Sequence, residues 1–322
     1  MRYKKIAGTD LEPSVICLGS ADMGTSISME ESFRMLDTFY DAGGNFIDTA
    51  LVYANWIPGE KSLSEKTIGK WMKLRNSRDK VILATKGAHP ELSAMHIPRL
   101  SRQEIVSDLN KSLMNLGVEC IDLYWLHRDD ASRPAGEILE TLNDMVKEGR
   151  IKYFGCSNWK LDRIRAAAEY ADRHNLKTFY ASQVMWSLAV PNTEAVADRT
   201  MCIMDAEMLN FHKESQLAAM PYSSQAKGFF QKMDGCDVTK LKDSVKAAYL
   251  NSENLESYKR VRKLAEEIRT SVGAVVLGYL TSQPFPAFPV IGPRSVGQLV
   301  ECLEAKELEL TAKQVYFLEK GG

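Results

Sequence analysis

Four ionisable residues, Asp48, Tyr53, Lys86 and His127, stand at or just beyond the ends of three apolar runs, in NFIDTALVY, VILATKG and IDLYWLHR. As chemistry, the set suits reduction of a carbonyl group. The alkoxide formed must be protonated, and a phenol can serve as the acid if its pKa falls from about 10. Lys86, as a neighbouring cation, favours the phenolate, and Asp48 can hold that ammonium in an ion pair. His127 can orient the carbonyl and donate to its oxygen as negative charge develops. None of the four can supply a hydride, so a cofactor must. Singly each residue is weak: an Asp after a strand is more often a helix cap, and a lone His or Tyr more often packs. The argument rests on their convergence.

Convergence needs elements that bring them together. Apolar, β-rich runs recur about every thirty residues, at Val15–Gly19, Asn45–Asp48, Val81–Thr85, Ile121–Leu126, Ile151–Cys156, Phe179–Val184, Leu217–Pro221 and Phe288–Ile291. Nearly all lack the polar alternation of a half-exposed strand, which predicts strands buried on both faces of a parallel sheet. Between them lie stretches of helical period. Three open with Ser-x-x-Glu, at Ser28/Glu31, Ser62/Glu65 and Ser101/Glu104, a pattern that satisfies free amides at a helix start. Ile105, Leu109, Leu113 and Leu116 then share one face before Gly117, as do Ile138, Leu142 and Met145 before Gly149.

Strand and helix in alternation predict an α/β fold, a closed (β/α)8 TIM barrel, ahead of an open doubly wound sheet. In such a barrel active sites gather at the C-terminal ends of the strands, where the four residues fall. Tyr3–Ile6 and Leu11–Val15, around Gly8-Thr9-Asp10, read as a hairpin capping the opposite end. The segments 191–216 and 229–257 are too long for simple connections. No break in composition marks a second domain, so residues 1–322 are expected to form one barrel domain.

Charge is nearly balanced, with 41 Lys and Arg against 42 Asp and Glu, so no overall field would draw in nucleic acid or an anionic membrane. The N-terminal MRYKKIAGTDLEPS has basic residues without an apolar stretch behind them, unlike a secretory signal. The most apolar region, Val272 to Ile291, carries Gln283, Pro284, Pro286 and Pro289, which suits a short helix and a short strand better than a membrane span. A cytoplasmic location is the expectation. Cysteines at 17, 120, 156, 202, 236 and 302 form no C-x-x-C pair and are read as reduced residues, mostly in the core. No metal site is expected.

The dinucleotide fingerprint G-x-G-x-x-G is absent, and Gly19-Ser-Ala-Asp-Met-Gly24-Thr-Ser lacks the lysine of a phosphate loop. Any nicotinamide cofactor must be held by another device. From the opening hairpin to the segment around Cys302, the sequence resembles the aldo-keto reductase family, with Asp48, Tyr53, Lys86 and His127 matching its catalytic tetrad in order and local context. The resemblance implies NADPH/NADP+ lying extended across the barrel mouth. It also implies that Ser157 and Asn158 of GCSN, with Gln183 of SQ, contact the nicotinamide amide, and that Tyr222 of PYSSQAKG stacks on the ring. The segment IGPRSVGQLVEC resembles the family's adenosine-phosphate site, implying roles for Gly292, Arg294, Ser295, Gln298, Glu301 and Cys302; a cation and backbone amides at a helix start suit a phosphate. Two departures stand out. Cys302 replaces a common Asn, and SSQ replaces the common Ser-Pro-Leu after Tyr222. Without the resemblance, Ser157, Asn158 and Gln183 read as turn and rim hydrogen-bonders, and Cys302 as a small core residue.

The substrate implied is a small carbonyl compound. Asp22, Met23, Trp56, His89, Arg128 and Asp129 fall near the expected site and read as a fairly polar rim, with Trp56 as an apolar platform, suited to a sugar or other polar carbonyl. Two rivals remain: an NADPH-binding regulatory or redox-sensing barrel with little turnover, and a metal-dependent barrel hydrolase, for which only His127 and Asp48 are well placed. Oligomeric state is not legible.

Overall fold

Eight short parallel strands, β1 (Cys17–Gly19), β2 (Phe46–Asp48), β3 (Ile82–Gly87), β4 (Ile121–Leu126), β5 (Ile151–Ser157), β6 (Ala181–Gln183), β7 (Ala218–Ala219) and β8 (Val290–Ile291), pair in the order β7-β6-β5-β4-β3-β2-β1-β8. They belong to a computed structural model that describes residues 1–235 and 238–321. The order closes on itself. Ala219 N–H donates to Pro286 O at 2.8 Å, Phe288 N–H to Ala219 O at 2.9 Å and Val290 N–H to Pro221 O at 2.8 Å, so the segment entering β8 seals against β7. This is a (β/α)8 barrel, and the open sheet is set aside.

Helices follow the strands on the outside, at Met29–Asp41, Leu63–Arg75, Arg102–Leu116, Ala135–Lys147, Leu161–His174, Ala206–Ser215, Ser252–Ile268 and Val296–Leu303. Their apolar faces and the outward strand residues make one continuous core. A second core fills the barrel: Cys17, Phe46, Ala84, Leu123, Trp125, Ala181, Ala218, Met220 and Phe288, plugged by Ile6 and Leu11 of the opening hairpin. That hairpin is closed by Ile6 N–H to Leu11 O at 3.1 Å and an antiparallel bridge between Tyr3 and Ser14. Gly155 pairs with Trp125 across β4 and β5, and a Cβ there would lie 2.4 Å from the indole, so glycine makes room for the tryptophan inside the barrel.

The helix starts divide three ways. Ser101 and Glu104 form the full reciprocal box, with Gly117 in the left-handed cap position at φ 66°. Ser28 caps Glu31 N–H, but the Glu31 carboxylate turns away, to the Val296 N–H at 3.1 Å and to Arg34. The free amides at the start of the Val296–Leu303 helix attract the negative charge. Ser62 corrects the reading. It lies in a left-handed conformation at φ 56°, makes no cap, and donates instead to Leu51 O at 2.7 Å. Its expected partner Glu65 is buried in the wall, accepting from Thr85 at 2.6 Å and Asn115 at 2.8 Å. Neutral donors in the interior thus outcompete the helix end for that carboxylate.

The long segments carry structure of their own, including the helices Phe229–Met233 and Asp243–Tyr249, and Val272–Ile291 holds a helix to Thr281 followed by β8. Among the described residues no helix is long and apolar enough to cross a membrane. Cys17, Cys156 and Cys302 are buried while Cys120 and Cys202 are half-buried, all as free thiols; Cys236 lies outside the described residues.

Candidate active site

β2, β3 and β4 are hydrogen-bonded neighbours, so residues at their C-terminal ends must face one another. Asp48 closes β2, Lys86 lies at the end of β3, His127 follows β4, and Tyr53 arrives from the turns after β2. Lys86 Nζ donates to Asp48 Oδ2 at 2.5 Å, to Thr49 O at 2.7 Å and to Tyr53 Oη at 3.0 Å. An ammonium has three protons, and these contacts use them all. The phenol oxygen therefore receives a hydrogen bond, while its own proton has no protein acceptor among the described residues. Gln183 donates to the other Asp48 oxygen at 3.3 Å.

Burial governs the protonation states. It pushes Asp48 above the ordinary carboxylate value, with Lys86 pulling the other way. Burial also works against the Lys86 charge, but Asp48 and Tyr53 outweigh it and hold the ammonium above its usual value. Tyr53 is raised, because burial exceeds the opposing pull of Lys86. Lys86 acts on the phenol in the expected direction, but burial outweighs it, so the net shift is a moderated rise and not the expected fall.

His127 is pushed well below the imidazole range by burial first, then by His89, Lys86 and Arg128, so it is neutral near pH 7. Its Nδ1 is buried without a partner among the described residues. An orphaned buried N–H is costlier than an unused lone pair, which puts the single proton on Nε2. The ring meets Tyr53 edge-on at 5.9 Å between centroids and His89 at 4.6 Å. A phenol with a free proton beside a neutral imidazole donor is equipped to protonate and polarise one oxygen atom.

The residues matched to the nicotinamide site lie on the next strands, where Ser157 and Gln183 are register partners of β5 and β6. Asn158, left-handed at φ 61°, is saturated. Its Oδ1 accepts from Tyr222 Oη at 2.7 Å and Cys202 N–H at 3.1 Å, and its Nδ2 donates to Ser157 Oγ at 3.1 Å and His127 O at 3.4 Å. The Ser157 hydroxyl proton and Gln183 Oε1 keep no protein partner among the described residues. One unused donor beside one unused acceptor, each on a buried residue, is what a carboxamide requires.

The residues matched to the phosphate site form a separate group after β8. Ser295 caps Gln298 N–H at 3.3 Å, and Gln298 Oε1 accepts from Arg294 N–H at 2.9 Å, so the helix start is organised by its own side chains. Arg294 is 76% exposed and only loosely paired, at 3.7 Å from Asp22. Gly292 leaves open space where a side chain would stand, and Glu301 is exposed on the following helix. The corner thus presents one exposed guanidinium, with Asp22 loosely beside it and Glu31 on the Val296 N–H. Cys302 points inward among core residues with its thiol on Gln225 Oε1 at 3.4 Å, and burial pushes that thiol up to about 11.

The rim is less polar than the sequence implies. Met23 is in the core. Asp129 is tied to Arg163 at 2.9 Å, and the buried Arg128 is engaged by Asp198 at 2.9 Å, Thr200 at 2.8 Å and His127 O at 2.9 Å. Trp56, half exposed, stands edge-on to the Tyr53 ring at 6.1 Å. Sequence reasoning missed the edge-to-face contact of His89 with His127, because it depends on a left-handed turn at Ala88 that no glycine announces. Among the described residues no three His, Cys, Asp or Glu side chains cluster as a metal ion would need.

Comparison with known proteins agrees with this geometry. A family model described as "Aldo/keto reductase family" matches residues 15–320. The chain is 28% identical to norsolorinic acid reductase B of Dothistroma septosporum, covering 99% of this chain and 81% of that protein. It is 29% identical to an aryl-alcohol dehydrogenase [NADP(+)] of Phanerodontia chrysosporium, over 98% and 85% of the two chains. An uncharacterized oxidoreductase of Bacillus subtilis, YrpG, is 30% identical over 96% and 92%. With its tetrad residues gathered at the mouth of a closed eight-stranded barrel, the chain belongs to the aldo/keto reductase family and is an NAD(P)H-dependent oxidoreductase.

Proposed function

We propose that this protein, a single barrel domain over residues 1–322, uses NADPH to reduce an aldehyde or ketone to the alcohol. The observation that carries the reading is the Lys86 ammonium bridging Asp48 and Tyr53 in a buried site beside neutral His127. When bound, NADPH supplies hydride to the carbonyl carbon. Tyr53 donates the proton to the oxygen, and His127 donates a hydrogen bond to the same atom as charge grows on it. Lys86 limits the rise of the phenol pKa, and Asp48 holds Lys86. Ser157 and Gln183 would hold the nicotinamide carboxamide through their unused donor and acceptor, with Tyr222 beside the ring. Asn158 would serve chiefly to fix Tyr222 and the His127 backbone. Gly292, Arg294, Ser295, Gln298 and Glu301 would hold the adenosine phosphate end, the guanidinium favouring a 2′-phosphate.

For the substrate, Trp56 and His89 flank the tetrad while Arg128 and Asp129 are spent on internal pairs. A flat aryl or conjugated aldehyde fits that setting better than a polyhydroxylated sugar. The test is NADPH oxidation against a panel of aryl aldehydes, simple aldehydes, aldoses and keto-sugars. Consumption with the aryl aldehydes supports the reading. Preference for the aldoses would return the polar-substrate assignment, and tight NADPH binding with no carbonyl turned over would favour a redox-sensing barrel.

A further inference from the structure

His89 is placed at the site with more structure than a rim residue needs. β3 ends at Gly87 and the chain turns through Ala88 in the left-handed region, φ 57°, which an alanine rarely adopts and which persists only where the surroundings hold it. Ala88 N–H donates to Asp108 Oδ2 at 3.0 Å. Arg99 grips both oxygens of Asp108 at 3.1 Å and also donates to His89 O at 3.0 Å. The turn brings the His89 imidazole back into the barrel mouth, 9% exposed, with Nδ1 2.7 Å from Pro90 O. Since a carbonyl only accepts, that Nδ1 carries the proton and the ring orientation is fixed. The fixed ring meets His127 at 4.6 Å between centroids, inclined by 68°.

His127 lacks the device that usually orients a working histidine. A hydrogen bond from the second ring nitrogen normally sets the tautomer and the ring plane, yet His127 Nδ1 has no partner. Its backbone carbonyl is held by Arg128 and Asn158, but nothing hydrogen-bonds the far side of the ring. Among the described residues, the aromatic rings that meet it are those of Tyr53 and His89.

We propose that His89 is a positioning residue: it fixes the plane of the His127 imidazole and keeps that ring a neutral donor aimed at the carbonyl oxygen. The proposal rests on the carbonyl-reductase reading given above. Edge-to-face packing supplies the orientation. Two imidazoles this close resist double protonation, and the cations Lys86 and Arg128 act in the same sense on His127. On His89, burial, with Arg128 and Arg99 in the same sense, outweighs the Pro90 hydrogen bond and Asp198, so the balance there also opposes charge.

The test uses the full chain with NADPH and an aldehyde that the wild type turns over. His89→Ala should lower kcat by about tenfold or more through misplacement of the donor, with NADPH affinity by fluorescence titration unchanged. His89→Phe, which keeps an aromatic edge, should recover most of the rate. Nitrogen-15 NMR of the wild type should show His127 as the Nε2–H tautomer, still neutral below the ordinary imidazole value of about 6.5. His89→Phe should raise its titration midpoint. Wild-type kcat in a folded His89→Ala, or a wild-type His127 that is Nδ1-protonated or titrates normally, would overturn the proposal. Should the alanine variant fail to fold, the phenylalanine variant and the wild-type spectrum decide. Absence of turnover by the wild type with every carbonyl compound would sink the reductase reading instead, while the NMR result would still judge the ring contact.

Discussion

Lys86 Nζ lies 3.0 Å from Tyr53 Oη with its other protons committed to Asp48 and Thr49, so it gives a hydrogen bond to the phenol oxygen and leaves the phenol proton free. Tyr53→Phe removes that proton and no residue matched to the cofactor. Turnover should fall on the order of 100-fold or more, while NADPH binding by fluorescence is retained. A variant with near wild-type kcat would remove Tyr53 as the acid.

Lys86→Met has two consequences, because Lys86 is both the cation on the phenol and the partner of a buried carboxylate. Reduction should drop sharply, and the alkaline limb of the residual pH profile should move upward, since burial and Asp48 would then raise Tyr53 with only the weaker pull of Arg128 against them. Leaving Asp48 unpaired should destabilise the fold by about 3–5 kcal/mol, whereas adding Asp48→Asn should recover much of the melting temperature without recovering activity. An unchanged rate and pH profile would take Lys86 out of the mechanism.

Arg294 is exposed and its pairing with Asp22 is loose, so it is available to a phosphate. Arg294→Ala should weaken NADPH binding about tenfold, the lower end for a charge-assisted contact, and leave NADH binding little changed. Equal losses for the two cofactors would assign the residue a structural role.

His212 offers a test of stability away from the site. It is fully buried, Nδ1 lies 2.7 Å from Leu217 O, and burial lowers its pKa below the imidazole value. The unfolded chain therefore binds a proton here that the folded chain refuses, so the stability His212 contributes is present above about pH 6.5 and is lost as pH falls toward the depressed folded value. His212→Asn lacks that titration. The stability advantage of wild type over the variant, from urea unfolding, should shrink by about 1.4 kcal/mol per pH unit within that window. An advantage that stays constant with pH would mean that His212 takes up its proton as readily in the folded protein as in the unfolded chain.

Strand spacing, parallel burial and the placement of Asp48, Lys86 and His127 at strand ends were legible in the sequence because they are properties of local pattern. An all-apolar run of five or six residues has few ways to be satisfied, and consecutive parallel strands joined by helices place their ends side by side. Ser101 and Glu104 were legible for the same reason, their box closing within four residues. What only the tertiary structure decided depends on partners distant in the chain. Glu31 and Glu65 carry the same local signature as Glu104, yet one goes to the Val296 amide and to Arg34 and the other to Thr85 and Asn115, since donors outside the helix's own first turn compete for each carboxylate. Asn158 has its amide saturated by Tyr222, Cys202, Ser157 and His127, and Cys302 turns to Gln225, where motif alone placed both against the cofactor. The same holds for His89. Its ring reaches His127 through a left-handed alanine secured by Asp108 and Arg99, and a conformation paid for by contacts ten and twenty residues away leaves no mark in the local sequence.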